Sequence, residues 1–395
     1  MKKNALISVI KRECRTLWSR PLYLFTTILF PLFALLFMTT IFGNGMIDSI
    51  PVGIVDEDNS AVSREIATTC SAVSEIKVTE RFSNTAEARD ALLSKKIYAY
   101  LIIPNDFQDD MLANKDVSLT LCYHFAFLSV GSEVMQGFLK ALRIIAVAPL
   151  QQTTDFLGID DTTLEAIASP ISIVAHPLYN PSLNYSAYLS FPYFWVLFQI
   201  LILLNIAYSF GKDFKKENIK DCLSAGNNKF SNVVIGKLIP YVLIFSIIGF
   251  FSNVVMFHFE GYSLDSNILV MTFSCVLFIM ATCSIAVFLF SLYPNLPIII
   301  SFISMFGSLG ATFAGVTFPV DAMFGIFEKF SQLFPIRHFV VATDYLRYES
   351  DIADYLLKPL LTLSLYNLLI VISILLFKKR FKAFLKDERF MQDNI

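Results

Sequence analysis

Five consecutive residues, Asp56-Glu57-Asp58-Asn59-Ser60, could do chemistry as a group. Carboxylate oxygens are the ligands that hard cations such as Ca²⁺ prefer, and paired carboxylates can also act as acid and base. These residues directly follow an apolar segment, however, and Asp and Asn build turns while Ser caps the next helix. No other residues are spaced to complete a coordination shell. A turn with a helix cap is therefore the favoured interpretation.

The usual catalytic and ATP-binding spacings are absent from the sequence, which has no G-x-S-x-G, no H-E-x-x-H and no Walker A pattern. We therefore expect no catalytic, metal or cofactor site in this chain, and no ATP hydrolysis by the chain alone. The four His and six Cys residues are dispersed. Cys70 and Cys122 could form a disulfide, although two buried thiols are the favoured alternative.

Six stretches without Asp, Glu, Lys, Arg or His are each long enough to cross a bilayer as a helix. The composition agrees, since 55% of the residues are hydrophobic and the mean hydropathy is +0.60. Proton- and ion-driven pumps usually keep ionisable side chains inside their spans, so energy should enter from outside the membrane region. The stretches lie near residues 22–42, 189–210, 238–257, 268–290, 296–318 and 359–377.

Basic residues predict the orientation, because short cytoplasmic segments are enriched in Lys and Arg. Lys and Arg cluster before the first stretch, between the second and third, and after the last. The loop at 258–267 has none, and the long segment 43–188 is acidic. We therefore expect six spans with both termini cytoplasmic and the segment 43–188 outside.

The segment 43–188 should be a folded domain. Segments rich in β-branched and aromatic residues predict strands at 51–55, 76–80, 97–103 and 117–123. Helices are predicted after Ser60, after Asn84 with Glu87 at capping-box spacing, and across 131–168. Strands that alternate with helices indicate an open α/β sheet. The predicted fold class is a membrane α-helical protein with six transmembrane helices and an inserted extracytoplasmic α/β domain.

Two segments on the predicted cytoplasmic side are amphipathic or charged. The N-terminal residues place an apolar face of Leu6, Val9, Ile10, Cys14 and Leu17 opposite a basic face of Lys11, Arg12 and Arg15. This pattern is typical of a helix in the membrane interface, with Trp18 at headgroup level. The loop at 211–237 should contain a short charged helix that docks on a soluble partner, with a solvated turn as the alternative.

Four segments of the chain resemble the permease subunit of type-2 ABC exporters, in the branch with a large domain between the first two spans. The first is similar to the family's interfacial elbow helix and first span, the next two to its outer domain, and the last to the end of span five with a re-entrant turn. They are KRECRTLWSRPLYLFTTILFPLF at 11–33, IPVGIVDEDNSAVSREI at 50–66, YAYLIIPNDFQDDM at 98–111 and FAGVTFPVDAMFGIFEKFSQLFPIRHFV at 313–340.

The resemblance divides the chain into five parts. These are an interfacial elbow helix at 1–21, transmembrane helix 1 at 22–42, the extracytoplasmic α/β domain at 43–188, transmembrane helices 2–6 at 189–377, and a basic cytoplasmic tail at 378–395. The fourth part would contain the cytoplasmic coupling loop at 211–237 and a re-entrant outer segment at 313–356.

The resemblance also implies an energy source. Two permeases would pair, and separate subunits that bind ATP and Mg²⁺ would dock beneath them and grip the coupling loop. Glu217 matches the family's acidic position, whereas Asn218 stands where the family often has Gly; Asn tolerates similar backbone angles. The implied ATPase-coupling residues are Asp213, Lys216, Glu217, Lys220 and Leu223.

A substrate path is implied at the dimer interface, between spans two and five. Its lining would be aromatic and Met-rich, which suits hydrophobic or amphipathic cargo, although the same side chains could simply pack against helices or lipid. The predicted lining residues are Phe191, Phe194, Trp195, Phe198, Gln199, Phe302, Met305 and Phe306. The predicted outer gate is the turn that contains Gly315, Thr317, Phe318 and Pro319.

The expected protein is thus a multi-pass exporter permease of the bacterial inner membrane, with multidrug efflux as one role. Its expected partners are an ATP-binding subunit, a second permease copy or paralogue, membrane lipid and a periplasmic adaptor protein, but no nucleic acid. A secondary transporter would need a polar, ionisable pathway that the sequence lacks. A membrane-anchored receptor or scaffold that binds a partner through its outer domain is the open alternative.

Overall fold

The computed structural model describes residues 5–41, 49–113, 115–124, 128–157, 184–214, 219–348 and 353–392. The chain forms two compact units. The membrane unit comprises Met1–Gly45 and Leu178–Ile395, and the α/β unit comprises Met46–Pro177.

The described elements are, in chain order, α1 (Ala5–Ser19), α2 (Pro21–Thr40), β1 (Ile50–Asp56), α3 (Ala61–Ala72), β2 (Ile76–Phe82), α4 (Thr85–Leu93), β3 (Ala99–Ile103), α5 (Phe107–Leu112), β4 (Thr120–Tyr123), α6 (Leu128–Leu157), α7 (Tyr185–Asp213), α8 (Ile219–Ala225), α9 (Phe230–Phe259), α10 (Ile268–Leu292), α11 (Leu296–Phe313), α12 (Gly325–Ser331), α13 (Pro335–Tyr348), α14 (Ala353–Leu365) and α15 (Leu368–Gln392).

Six helical segments among the described residues are long and apolar enough to cross a membrane, which confirms the predicted number. They are α2, α7, α9, α10, α11 and the segment Tyr355–Arg380, which comprises most of α14 and the first part of α15. Two boundaries differ from the prediction. Helix α11 ends at Phe313 rather than near 318, because Gly315 turns the chain with φ +85°. Helix α9 begins at Phe230, so Lys237 lies inside a span and not in the loop before it.

The interior of the membrane unit is packed by aromatic side chains. Trp195 on α7 makes edge contacts with Phe278 on α10 and with Phe339 on α13, at centroid distances of 6.2 and 4.9 Å. Phe198 on α7 meets Phe245 on α9 at 5.4 Å. Helices in a bilayer associate mainly through such van der Waals packing, since lipid is as apolar as their own surfaces. The aromatic cluster therefore makes α7 the centre of the bundle.

The α/β unit contains a four-stranded sheet in the order β2-β1-β3-β4. Strand β1 is parallel to β2 and β3, and β4 is antiparallel to β3. Apolar side chains alternate between the two faces of β1, so α3 and α6 cover one face and α4 covers the other. Strand β4 is shorter than predicted, and residues 158–168 of the predicted long helix lie outside the described residues.

The helices that follow strands β1 and β2 begin at N-cap residues of the expected types. Ser60 Oγ accepts a hydrogen bond from Ser63 N at 3.0 Å, and Asn84 Oδ1 accepts one from Glu87 N at 2.9 Å. Asp56 accepts from Asn59 N and from Ser63 Oγ, at 2.9 and 2.8 Å. Its carboxylate therefore holds the turn, and no metal-ligating group of three His, Cys, Asp or Glu residues occurs in the described part of the chain.

Cys70 and Cys122 are both free thiols. Cys70 packs on the face that α3 covers, whereas Cys122 packs on the face that α4 covers. A disulfide between them would have to pass through the sheet, so the alternative of two separate thiols is the correct one.

Candidate functional site

Three helices of the membrane unit converge around one buried lysine. Helix α1 lies against α9 at Gly236, where a Cβ would come within 2.9 Å of the Val9 Cβ. The missing side chain thus lets the two backbones approach closely. At this level α7 reaches its last residue, Asp213. The approach brings polar side chains from all three helices to one place.

Lys237 on α9 lies between two carboxylates from the other two helices. Its Nζ is 2.8 Å from Glu13 Oε2 on α1 and 2.6 Å from Asp213 Oδ2 on α7. The exposed fractions are 1% for Lys237, 3% for Glu13 and 4% for Asp213. Charges this deeply buried persist only when they are paired. Lys237 therefore acts as a common counter-charge that ties α1 and α7 to α9.

Further hydrogen bonds occupy the remaining carboxylate oxygens. Ser209 Oγ and Tyr241 OH donate to Glu13 Oε1 at 2.6 and 3.0 Å. Arg12 Nη2 donates to Asp213 Oδ1 at 3.0 Å from the partly exposed edge of the site. We call these residues, Arg12, Glu13, Ser209, Asp213, Lys237 and Tyr241, the buried ion network.

The charges of the buried ion network balance, with two cations and two carboxylates. Burial opposes the charge of Arg12, but the neighbouring Asp213, Cys222 and Glu13 together more than compensate, so the pKa of Arg12 rises above its ordinary value. Apart from Arg12 Nη1, which is buried without a hydrogen-bond partner, the charged groups of the network are paired. Each charged group lost would leave another unpaired in a low dielectric, so the network favours one arrangement of its helices. The network can therefore transmit a displacement of one helix to the other two.

The buried ion network lies at the beginning of the predicted coupling loop. Asp213 is the last residue of α7, and Leu223 on α8 is buried in the same core. The side chains of Asp213 and Leu223 are both buried within the membrane unit. Lys220 is exposed on α8, whereas Lys216 and Glu217 lie outside the described residues. The assignment of all five to ATPase coupling stays a prediction.

Glu13 and Lys237 are candidate functional residues that the sequence patterns did not single out. The buried face of α1 contains Val9, Glu13 and Leu17, which lie at successive intervals of four residues. A carboxylate within such a stripe is a usable signal, but the apolar face predicted from the sequence includes Ile10 and Cys14 and leaves Glu13 out. Lys237 was overlooked because it directly precedes a charge-free stretch.

The predicted substrate path divides into a buried and an exposed half. Phe191, Phe194, Trp195, Phe198 and Gln199 on α7 are all buried in the interior. In the single chain these side chains pack α7 against its neighbours, and their role in a substrate path stays a prediction. On α11, Phe302 and Met305 are 49% and 53% exposed, while Phe306 packs on Phe334 at a centroid distance of 4.6 Å.

The predicted outer gate forms the turn that follows α11. Gly315 has a positive φ, and a Cβ there would lie 2.5 Å from Nη1 of Arg337 on α13. That guanidinium donates a hydrogen bond to Ala314 O at 3.4 Å, so Arg337 ties the turn to α13. Thr317, Phe318 and Pro319 continue the turn, and Phe318 is half-exposed. The structure brings these residues together, and their role as a gate stays a prediction.

The family model described as ABC-2 family transporter protein matches residues 21–377. The chain therefore belongs to the ABC-2 transporter family, as the resemblance in its sequence indicated. Members of this family form the membrane permease of an ABC transporter and normally work with separate ATP-binding subunits, which carry the ATPase site. Comparisons with curated proteins and with solved structures returned no match.

Proposed function

We propose that this chain is the permease of an ATP-driven exporter and that the buried ion network couples it to its ATP-binding subunits. The observation that carries the proposal is the position of Lys237, which joins α1, the end of α7 and α9 where the coupling loop begins. ATP-binding subunits would dock on the loop at 211–237, which the Lys/Arg distribution assigns to the cytoplasm.

The mechanism follows from how α8 is attached. Ile219, Cys222 and Leu223 on α8 are buried against the membrane unit. A displacement of α8 would therefore also move the helices that it packs against. Closure of the ATP-binding subunits would displace α8 and the end of α7, and Asp213 would pass the displacement to Lys237 and Glu13. The ligand acts by favouring one of two packings of the spans.

Two permeases would pair along the exposed side of α11. Phe302 and Met305 give this side an apolar, adaptable surface, which suits both a second copy of the chain and an amphipathic cargo. Export from the inner leaflet to the outside, in a bacterial inner membrane, is the direction we propose. The α/β unit would then face outward, where it could bind a periplasmic adaptor.

Co-purification with the ATP-binding subunit encoded beside this chain tests the proposal. The expected result is a stable complex in lipid nanodiscs whose ATPase activity exceeds that of the isolated subunit. Glu217→Ala should lower this activity without unfolding the permease, and Lys379→Ala, which changes an exposed residue at the end of the last candidate span, serves as the control. If no ATP-binding subunit associates, the exporter function is wrong and a receptor or scaffold role takes its place.

A further inference from the structure

A cavity of about 380 Å³ lies in the membrane unit between the start of α7, the turn after α11, and α13. Pockets of this size are typical of small-molecule sites. Its walls are mainly apolar and aromatic, and two charged residues from α13, Asp344 and Arg347, also line it. Part of the predicted gate, Gly315, belongs to the same wall.

Arg347 is built into the wall and is not available to a ligand. Its side chain is 3% exposed, and its guanidinium carbon lies 4.7 Å from the ring centroids of both Phe191 and Tyr348. Arg347 Nη2 donates to Ala187 O at 3.1 Å. The Nε has no hydrogen-bond partner among the described residues, but it is fully buried, so no ligand in the cavity can reach it.

Asp344 is the charged group that the cavity exposes. Its side chain is accessible, and it forms no ion pair with any residue in the described part of the chain. Desolvation by the surrounding walls raises the pKa of Asp344 to about 6, although Arg347 and Arg337 act in the opposite direction. No cation of the described residues forms an ion pair with this carboxylate, so a cation inside the cavity would pair with it without displacing a resident partner.

Aromatic side chains surround the carboxylate. Tyr188, Tyr345 and Tyr348 line the cavity, and the hydroxyl of Tyr188 donates to Val316 O at 2.9 Å, which ties α7 to the turn after α11. Aromatic faces attract organic cations and pack against apolar groups, whereas a hydrated metal ion gains little from them. The aromatic walls and the carboxylate therefore both favour an organic cation over a hydrated metal ion.

We propose that this cavity binds the cationic head of an amphipathic organic molecule, such as a quaternary ammonium or phosphonium group, with Asp344 as its counter-charge. The inference rests on the proposed export function, in which the cavity would be the last binding site before the outer turn opens. It narrows the cargo from amphipathic molecules in general to those with a positive charge.

Two probes of nearly the same shape and opposite charge test the inference. Tetraphenylphosphonium and tetraphenylborate are offered to the full chain in nanodiscs, with protein-free nanodiscs subtracted. The phosphonium should bind saturably, and Asp344→Asn should weaken it about tenfold or more, as expected for the loss of a desolvated charge partner. Asp344→Glu should retain most of the binding. Glu260→Gln, which neutralises an exposed carboxylate outside the cavity, is the matched control and should change nothing.

Two results would overturn the inference: equal phosphonium affinity for wild type and a folded Asp344→Asn variant, or a preference for the borate that this substitution leaves unchanged. Because the assay needs no ATP-binding subunit, its failure is distinct from failure of the export function. Phosphonium binding, combined with failure of any ATP-binding subunit to co-purify with the chain, would sustain the site and reject the exporter.

Discussion

The ammonium nitrogen of Lys237 lies 2.8 Å from a carboxylate oxygen of Glu13, although the two residues are 224 positions apart in the sequence. Buried ion pairs contribute little net stability, because both charges lose their water. Their better-attested effect is to specify one arrangement of the elements that carry them. Here the pair fixes a helix that precedes the first span against the third span.

Substitution of Lys237 by Met should strongly destabilise the chain, because Glu13 and Asp213 would both be left buried without a counter-charge. The expected loss is about 3–5 kcal/mol, seen as a lower midpoint of thermal unfolding in detergent. Lys379→Met changes an exposed lysine and should stay within about 0.5 kcal/mol of wild type. An unchanged midpoint for the Lys237 variant would contradict the buried ion network.

Replacement of Gly315 by Ala should strain the turn after α11. The residue has φ +85°, and the new Cβ would lie 2.5 Å from Arg337 Nη1. We expect a loss of about 1–3 kcal/mol in thermal unfolding. Gly325→Ala is the matched control, since no atom lies within 4 Å of its Cβ position and no change should follow. Equal midpoints for the two variants would show that the turn is not constrained.

Binding of tetraphenylphosphonium should depend on pH through Asp344, which lies outside the spanning helices. Its pKa is raised to about 6, so the carboxylate is mostly protonated at pH 5 and mostly ionised at pH 7. Arg337 and Arg347 face it and stay charged throughout, and tyrosines such as the facing Tyr188 are neutral in this range. The affinity should rise about tenfold from pH 5 to pH 7. A flat profile, or tighter binding at pH 5, would exclude Asp344 as the counter-charge.

The thiol of Cys70 should be nearly unreactive in the folded chain. Burial against an apolar face raises its pKa to about 11, so little thiolate forms at neutral pH. In variants that keep a single cysteine, maleimide should label Cys122, which is half-buried, faster than Cys70, and urea should remove the difference. The wild-type chain should also migrate identically with and without reductant. A mobility shift on reduction would reveal a disulfide that the structure excludes.

Features that depend on local composition could be predicted from the sequence. Charge-free stretches of about 20 residues give spanning helices, and β-branched segments next to turn residues give strands. The caps at Ser60 and Asn84 were equally predictable, because a cap needs only its own residue and the next three. The charge-free stretch at 296–318 does not by itself mark the end of α11, because Gly315, itself uncharged, turns the chain inside that apolar stretch.

Features that depend on how helices meet could not be predicted. The apolar side chains around Trp195 indicate burial, but not whether helices or cargo cover them. The position of Glu13 against Lys237 requires the close approach of α1 to α9 at Gly236, and a single glycine in an apolar helix gives no such information. The buried ion network is therefore visible only once the helices are packed.

The most direct test of coupling neutralises the buried ion network without leaving a charge unpaired. The quadruple variant Arg12→Gln, Glu13→Gln, Asp213→Asn, Lys237→Met removes both carboxylates and both cations together, so its thermal midpoint should stay closer to wild type than that of Lys237→Met. We would measure ATP-dependent efflux and ATPase activity of its complex with the ATP-binding subunit. We expect that the complex assembles but loses about tenfold or more of its ATP-dependent efflux. Wild-type efflux from this variant would contradict a role of the network in coupling.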